Sequence, residues 1–332
     1  MTEIDYEEFL LSKIKILYET IWNGKIKGTT INLWLNNFEE NQKLSALFLL
    51  SNFMYFDKFY IHEVLRCMYR DLFKYPIIRQ IRLDNGDVLD PNFIAREFKQ
   101  ISALSKFIPL GGVSESAHHL IYPLRQHTPL QDASFLLQEN IIENDALSSE
   151  RTLKYAEVRN YIFFDDFCGT GTQVVKYNLD QHISQIRELD PSVKIFCFFL
   201  FATTAGIECL ENTGLFDRVE SVILIDHTFR LFHEQSRILA DLSPSISLEV
   251  LTRMCVTNGR KLMLVHSLNQ IDNYDDALIE MESSKLGFKD SQLLIGFEHN
   301  VPDNTLPIVW YNEENPEWFP IFPRISKNYS DG

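Results

Sequence analysis

Along the first third of the chain, apolar residues recur at intervals of three and four, the spacing that lines one face of an α-helix. Residues 6–22 carry Phe9, Leu10, Ile14, Ile16, Leu17 and Ile21, with Gly24 placed to end the helix. Residues 29–35 predict a second helix with threonine as its N-cap. Residues 40–55, with Leu44, Leu47, Phe48, Leu50 and Met54, predict a third. Residues 57–73, with Ile61, Val64, Leu65 and Met68, predict a fourth. No strand signal interrupts them, so residues 1–100 are expected to form an α-helical N-terminal module.

From about residue 105 the period changes. Short apolar runs at 107–110, 161–164, 195–201, 222–225, 262–265 and 293–297 alternate with segments of helix length. Runs without polar alternation are strands buried on both faces, which predicts an α/β domain over residues 101–332. Its expected architecture is a mainly parallel sheet flanked by helices. Residues 300–324, rich in Pro, Asn and Trp, read as an extended C-terminal tail wrapping that domain. Sheets of this kind hold ligands beyond the carboxyl ends of their strands, so the residues after each run are the ones to inspect.

The most informative segment follows the run at 161–164. There Asp165 and Asp166 precede Phe167-Cys168-Gly169-Thr170-Gly171-Thr172-Gln173, and residues 174–177 read as a helix start. A strand, two carboxylates, a Gly/Thr loop and a helix N-terminus make a site for a sugar phosphate. Backbone N–H groups and the helix dipole attract phosphate, while the carboxylates accept hydrogen bonds from vicinal ribose hydroxyls. Paired carboxylates at a strand end repel each other and call for a ligand. A Walker A loop needs a Lys before the final Ser/Thr, and a dinucleotide fingerprint needs Gly where this chain has Val174.

A second segment, Gly111-Gly112-Val113-Ser114-Glu115-Ser116, follows the run at 107–110 and leads into a short helix over 117–122, ended by Pro123. Gly112, Ser114 and Ser116 can donate to a diphosphate; Glu115 there would need a bridging Mg²⁺, and Arg125 stands just beyond. A helix start capped by Ser114 explains the same residues equally well. Thr203-Thr204-Ala205-Gly206 lies where a base or ribose would contact a strand end, and Asp226 reads as a helix cap. Trp310, Trp318 and Phe322 read chiefly as anchors of the tail.

Composition narrows the class. The chain has 332 residues, 45% of them hydrophobic and 13% aromatic, enough for a substantial core. A formal net charge of −15 argues against nonspecific binding to nucleic acid or to anionic membranes. Five cysteines without a CxxC pair fit free thiols in a reducing compartment. Cys168 reads either as a reactive thiol or, more simply, as a small side chain facing the sheet. The longest uncharged run, 195–207, is too short to span a bilayer, and no signal peptide opens the chain. A cytoplasmic protein is expected.

The segment 161–171 resembles the 5-phosphoribosyl diphosphate (PRPP) loop of type I phosphoribosyltransferases, in which apolar residues precede two acidic ones and a Thr-Gly turn. Segments 33–39, 46–52, 107–116, 302–310 and 318–324 extend the likeness to phosphoribosyltransferase-like proteins of prokaryotic conflict and antiphage defence systems. The resemblance implies the type I phosphoribosyltransferase-like fold, with PRPP or a related nucleotide as ligand and Mg²⁺ held through that ligand. Asp165 and Asp166 would bind the ribose hydroxyls. Gly169, Thr170, Gly171, Thr172 and Gln173 would cradle the 5-phosphate, and the 111–116 segment would stand where the diphosphate loop belongs. Many active transferases have a second Gly and then Thr where this chain has Thr172 and Gln173. The implied function is phosphoribosyl transfer or hydrolysis in antiphage defence. The alternative is an inactive module that senses a nucleotide and signals to a partner protein.

Overall fold

Among the residues described by the computed structural model (3–111, 116–144, 151–172, 178–312 and 317–324), eight strands occur. They are β1 (Met54–Phe56), β2 (Ser105–Pro109), β3 (Ile142–Asn144), β4 (Arg151–Leu153), β5 (Asn160–Cys168), β6 (Lys194–Thr203), β7 (Arg218–Ile225) and β8 (Ile295–Phe297). β2, β5, β6 and β7 form one parallel sheet in that order, with helices between the strands, which is the expected α/β class. The sequence runs at 161–164, 195–201 and 222–225 lie in it, and the run at 107–110 does so as far as Pro109. β5 and β6 are apolar on both faces because both faces are covered: Tyr161, Ile162, Phe163, Phe164, Phe198, Phe199 and Phe201 are buried.

Contacts divide the chain into two compact units: residues 61–225, and residues 1–60 together with 226–332. The first holds the four-stranded sheet. Its core gathers Ile108, Phe163, Cys197 and Phe199 with Ile183 and Ile186 of the helix Leu179–Leu189. Phe73, in the π-helical turn Met68–Lys74, meets Phe107 of β2 edge-on at 5.0 Å. β3 and β4 make a separate antiparallel pair.

The second unit is held by contacts between distant parts of the chain. β1 pairs in parallel with β8. The Trp34 indole donates to the Ile308 carbonyl at 2.8 Å, and Trp318 packs on Phe38. Phe322 lies against Trp22, Phe53 and Tyr55. The tail aromatics are thus anchors, and their partners are the N-terminal helices. The boundary expected at residue 100 falls inside the first unit, because the helices over 75–103 precede β2 there while the tail shares a core with residues 6–55.

Several local expectations are corrected. Residues 262–265 are helical, inside Leu248–Gln270. Buried Leu251, Met254, Cys255, Gly259, Leu262, Met263 and Ser267 keep helical spacing across that run, and the Ser247 side chain caps it by accepting from the Val250 N–H. Residues 295–297 form a strand outside the four-stranded sheet, and β1 interrupts the N-terminal helices. The helix Gly28–Leu35 begins after Lys27, without a side-chain cap. The helix that follows Gly111-Gly112 runs Ser116–His127, through Pro123, since one missing N–H does not end a helix that is buried through Ala117, Leu120 and Leu124.

Candidate functional site

β5 brings the two acidic residues into the fold's interior. The strand continues to Cys168, so Asp165 and Asp166 lie within its paired length, two residues before the expected loop, because β6 keeps pairing through Phe167↔Phe201 and Cys168↔Ala202. Both are nearly enclosed, 3% and 7% exposed. The Asp166 N–H donates to Asp165 Oδ1 at 2.8 Å. Ser116, first residue of the helix Ser116–His127, reaches both: its hydroxyl is 3.0 Å from Asp166 Oδ1 and 3.4 Å from Asp165 Oδ1.

The register of the sheet explains this meeting. β2 and β5 are parallel, with Pro109 opposite Phe164, so the segment leaving β2 runs level with the acidic pair. Ser116, the last residue of the second segment, is thereby brought to the acidic pair of the first. Gly112, Ser114 and Glu115 lie outside the described residues, as does Gln173 with the helix start at 174–177. Arg125 is placed elsewhere on its helix, paired with exposed Asp132 and lying 5.9 Å from the Tyr122 ring.

Beyond the carboxylates the chain turns sharply. Gly171 has φ +73°, a left-handed conformation that favours glycine. The Thr170 and Thr172 hydroxyls are 2.8 Å apart. Cys168 is buried beneath the turn. Burial pushes its thiol up to about 12, and the Gly171 N–H bonded to the sulphur opposes that only in part. Cys168 is the small side chain facing the sheet, not a reactive thiol.

Support comes from β6. Thr203 Oγ1 donates to the Gly169 carbonyl and accepts from the Gly206 N–H at 2.9 Å, tying the loop to the helix Thr204–Glu211. The side chain of Thr203, in the segment 203–206 expected near a base or ribose, holds the loop. Asp226 caps the turn His227–Phe229 by accepting from the Thr228 N–H, as expected.

Among the described residues, no group of three or more His, Cys, Asp or Glu side chains could hold a metal ion by itself. Asp165 and Asp166 are hard oxygen donors suited to Mg²⁺ when a ligand supplies the remaining oxygens. No helix described is long and apolar enough to cross a membrane.

The chain is similar to three solved structures at low identity. With the AQ2163 protein from Aquifex aeolicus the identity is 11%, covering 60% of this chain and 83% of that one, with a TM-score of 0.27. With the Helicobacter pylori xanthine-guanine-hypoxanthine phosphoribosyltransferase it is 12%, covering 52% and 89%, with a TM-score of 0.25. With the orotate phosphoribosyltransferase from Aeropyrum pernix it is 16%, covering 41% and 73%, with a TM-score of 0.23. No curated protein matches the sequence significantly. The model of the PRTase-CE family matches residues 31–324, a span that takes in both units, the acidic pair and the loop after it, and the chain belongs to that family.

Proposed function

We propose that the site binds PRPP, or a nucleotide built on the same ribose 5-phosphate, together with Mg²⁺. The observation that carries the reading is the pair Asp165 and Asp166, buried side by side at the head of a glycine turn and bridged by one hydroxyl. Two adjacent carboxylates repel each other, and a ligand that bonds to both relieves that repulsion. Vicinal ribose hydroxyls supply matching donors. The turn at Gly169, Thr170, Gly171 and Thr172 would take the 5-phosphate through its backbone N–H groups and threonine hydroxyls. Mg²⁺, carried on the ligand's own oxygens beside the carboxylates, would neutralise a departing diphosphate.

In this reading the chain orients the ribose and holds the charge that develops at its C1. Transfer to a nitrogen nucleophile or hydrolysis then needs no protein nucleophile. Following the resemblance set out above, the setting is antiphage defence. A sensing module acting on a partner protein is the second reading, favoured by Gln173 in place of the compact residues that close the loop of active transferases.

The test is calorimetric titration of PRPP with Mg²⁺ into the wild type and into the Asp165→Ala/Asp166→Ala double variant. Saturable binding to the wild type that the variant loses supports the reading. A folded wild type that takes up no PRPP overturns it. Diphosphate release on adding candidate bases separates the enzyme from the sensor.

A further inference from the structure

Thr203 and Gly206 sit outside the acidic pair, and both meet the loop that follows it. A Cβ on Gly206 would lie 2.9 Å from the Gly169 carbonyl oxygen, 2.9 Å from Cys168 Sγ and 3.0 Å from the Cys168 carbonyl oxygen. A Cβ on Gly171 would lie 2.9 Å from the Gly206 carbonyl oxygen and 3.0 Å from Cys209 Cβ. These separations are shorter than real Cβ contacts, so the loop and the first turn of the helix Thr204–Glu211 touch backbone to backbone at two glycines. Thr203 spans the same contact with both hydrogen-bonding capacities of one hydroxyl, as donor to Gly169 and acceptor from Gly206.

We propose that Thr203 and Gly206 are positioning residues for the phosphate loop, fixing Gly169 to Gly171 in the conformation that receives the ligand's 5-phosphate. This rests on the phosphate-binding reading above. The turn contains two glycines, one of them left-handed, so without an outside tie its backbone would sample many conformations. Binding a phosphate would then carry the cost of ordering the loop. Thr203 meets that cost in advance: its donor end holds the Gly169 carbonyl, and Gly206 lets the helix come close enough for the bond to form.

The hydroxyl's two roles can be separated by substitution. Thr203→Val removes both. Thr203→Ser keeps both. Thr203→Asp keeps an acceptor for the Gly206 N–H, and so keeps the helix cap, but offers no donor to the Gly169 carbonyl. Two readouts apply to each variant: amide hydrogen exchange of the loop in the ligand-free protein, and calorimetric affinity for PRPP with Mg²⁺.

The expected result is faster exchange across residues 165–172 in Thr203→Val and Thr203→Asp, with PRPP affinity weakened about fivefold to tenfold, the size of one well-placed hydrogen bond. Thr203→Ser should stay within about twofold of wild type on both readouts. Gly206→Ala should move both in the same direction as Thr203→Val. Wild-type behaviour of Thr203→Asp would reduce Thr203 to a helix cap and overturn the proposal, as would unchanged loop exchange in Thr203→Val. Should the wild type fail to bind PRPP, the phosphate-binding reading falls with it. Exchange in the ligand-free variants would still decide whether Thr203 orders the loop.

Discussion

Asp165→Asn should make the ligand-free protein more stable while abolishing its proposed ligand binding. Ser116 Oγ lies 3.4 Å from Asp165 Oδ1 and 3.0 Å from Asp166 Oδ1, and these two reaches cap the separation of the carboxylate oxygens at 6.4 Å. Two unit charges at that limit repel by about 2.6 kcal/mol at an effective dielectric constant of 20. Asparagine is nearly isosteric and keeps Oδ1, so the bond from the Asp166 N–H survives the change. The substitution therefore removes repulsion at little packing cost. About 1–3 kcal/mol of gain in a chain this long corresponds to a rise in Tm of about 2–5 °C. Differential scanning calorimetry of the ligand-free proteins checks the first half, and PRPP titration with Mg²⁺ the second. A variant that melts below wild type would show that the pair is stabilised in the absence of ligand. Retained PRPP affinity would remove Asp165 from the ribose site.

Three further outcomes follow from the same structure. Gly259→Ala should lower Tm by a few degrees, reflecting about 1–3 kcal/mol of overpacking, because the new Cβ would fall 1.9 Å from the Lys285 carbonyl oxygen; an unchanged melting curve would show that the helices Leu248–Gln270 and Tyr274–Ser284 can part at little cost. Iodoacetamide at pH 8 should label exposed Cys209 well before Cys168, whose buried thiol is pushed up to about 12, and peptide mapping that finds Cys168 labelled as fast in the folded protein would refute this. Burial lowers the His182 pKa below its ordinary 6.5, against a smaller opposing effect from the Gln138 backbone. Its contribution to stability is therefore complete above pH 6.5 and lost as the pH falls from there through the folded value; denaturant midpoints of wild type and His182→Gln should diverge in that window, and parallel curves would sink the assignment.

β5 and β6 could be read from the sequence because burial on both faces writes an unbroken apolar run, as in Phe196 to Phe201 of β6, whereas the β7 run is apolar without that burial, its Leu224 being exposed. The same signal misleads where a long buried helix contains a short apolar stretch. Residues 262–265 look like a strand until the spacing of Leu251, Cys255, Gly259 and Leu262 is followed across the whole helix. The placement of β8 beside β1 could not be read at all, since pairing between residues some 240 positions apart leaves no local mark. Asp165, Asp166 and Ser116 were each visible as candidates, and their meeting depends on the β2–β5 register, which only the assembled sheet displays. The bonds of Thr203 to Gly169 and Gly206 could not be read at all, because a strand-end threonine has many uses and its partners are fixed only by the fold.

The site is divided among three neighbouring strands, and that division gives each part a separate consequence. β5 lies between β2 and β6, so the chain leaving each neighbour runs beside the chain leaving β5. From the β2 side comes Ser116, which touches the carboxylates; from the β6 side comes Thr203, which touches the loop. If the proposed ligand is bound, loss of Ser116 should disturb its ribose end, whereas loss of Thr203 should disturb its phosphate end. Ribose 5-phosphate and inorganic phosphate distinguish the two as competitors of PRPP. Ser116→Ala should weaken ribose 5-phosphate more than inorganic phosphate, and Thr203→Val should weaken both. Equal losses for both competitors in both variants would mean that β5 and its neighbours respond as one body, and the assignment of ends to strands would fail.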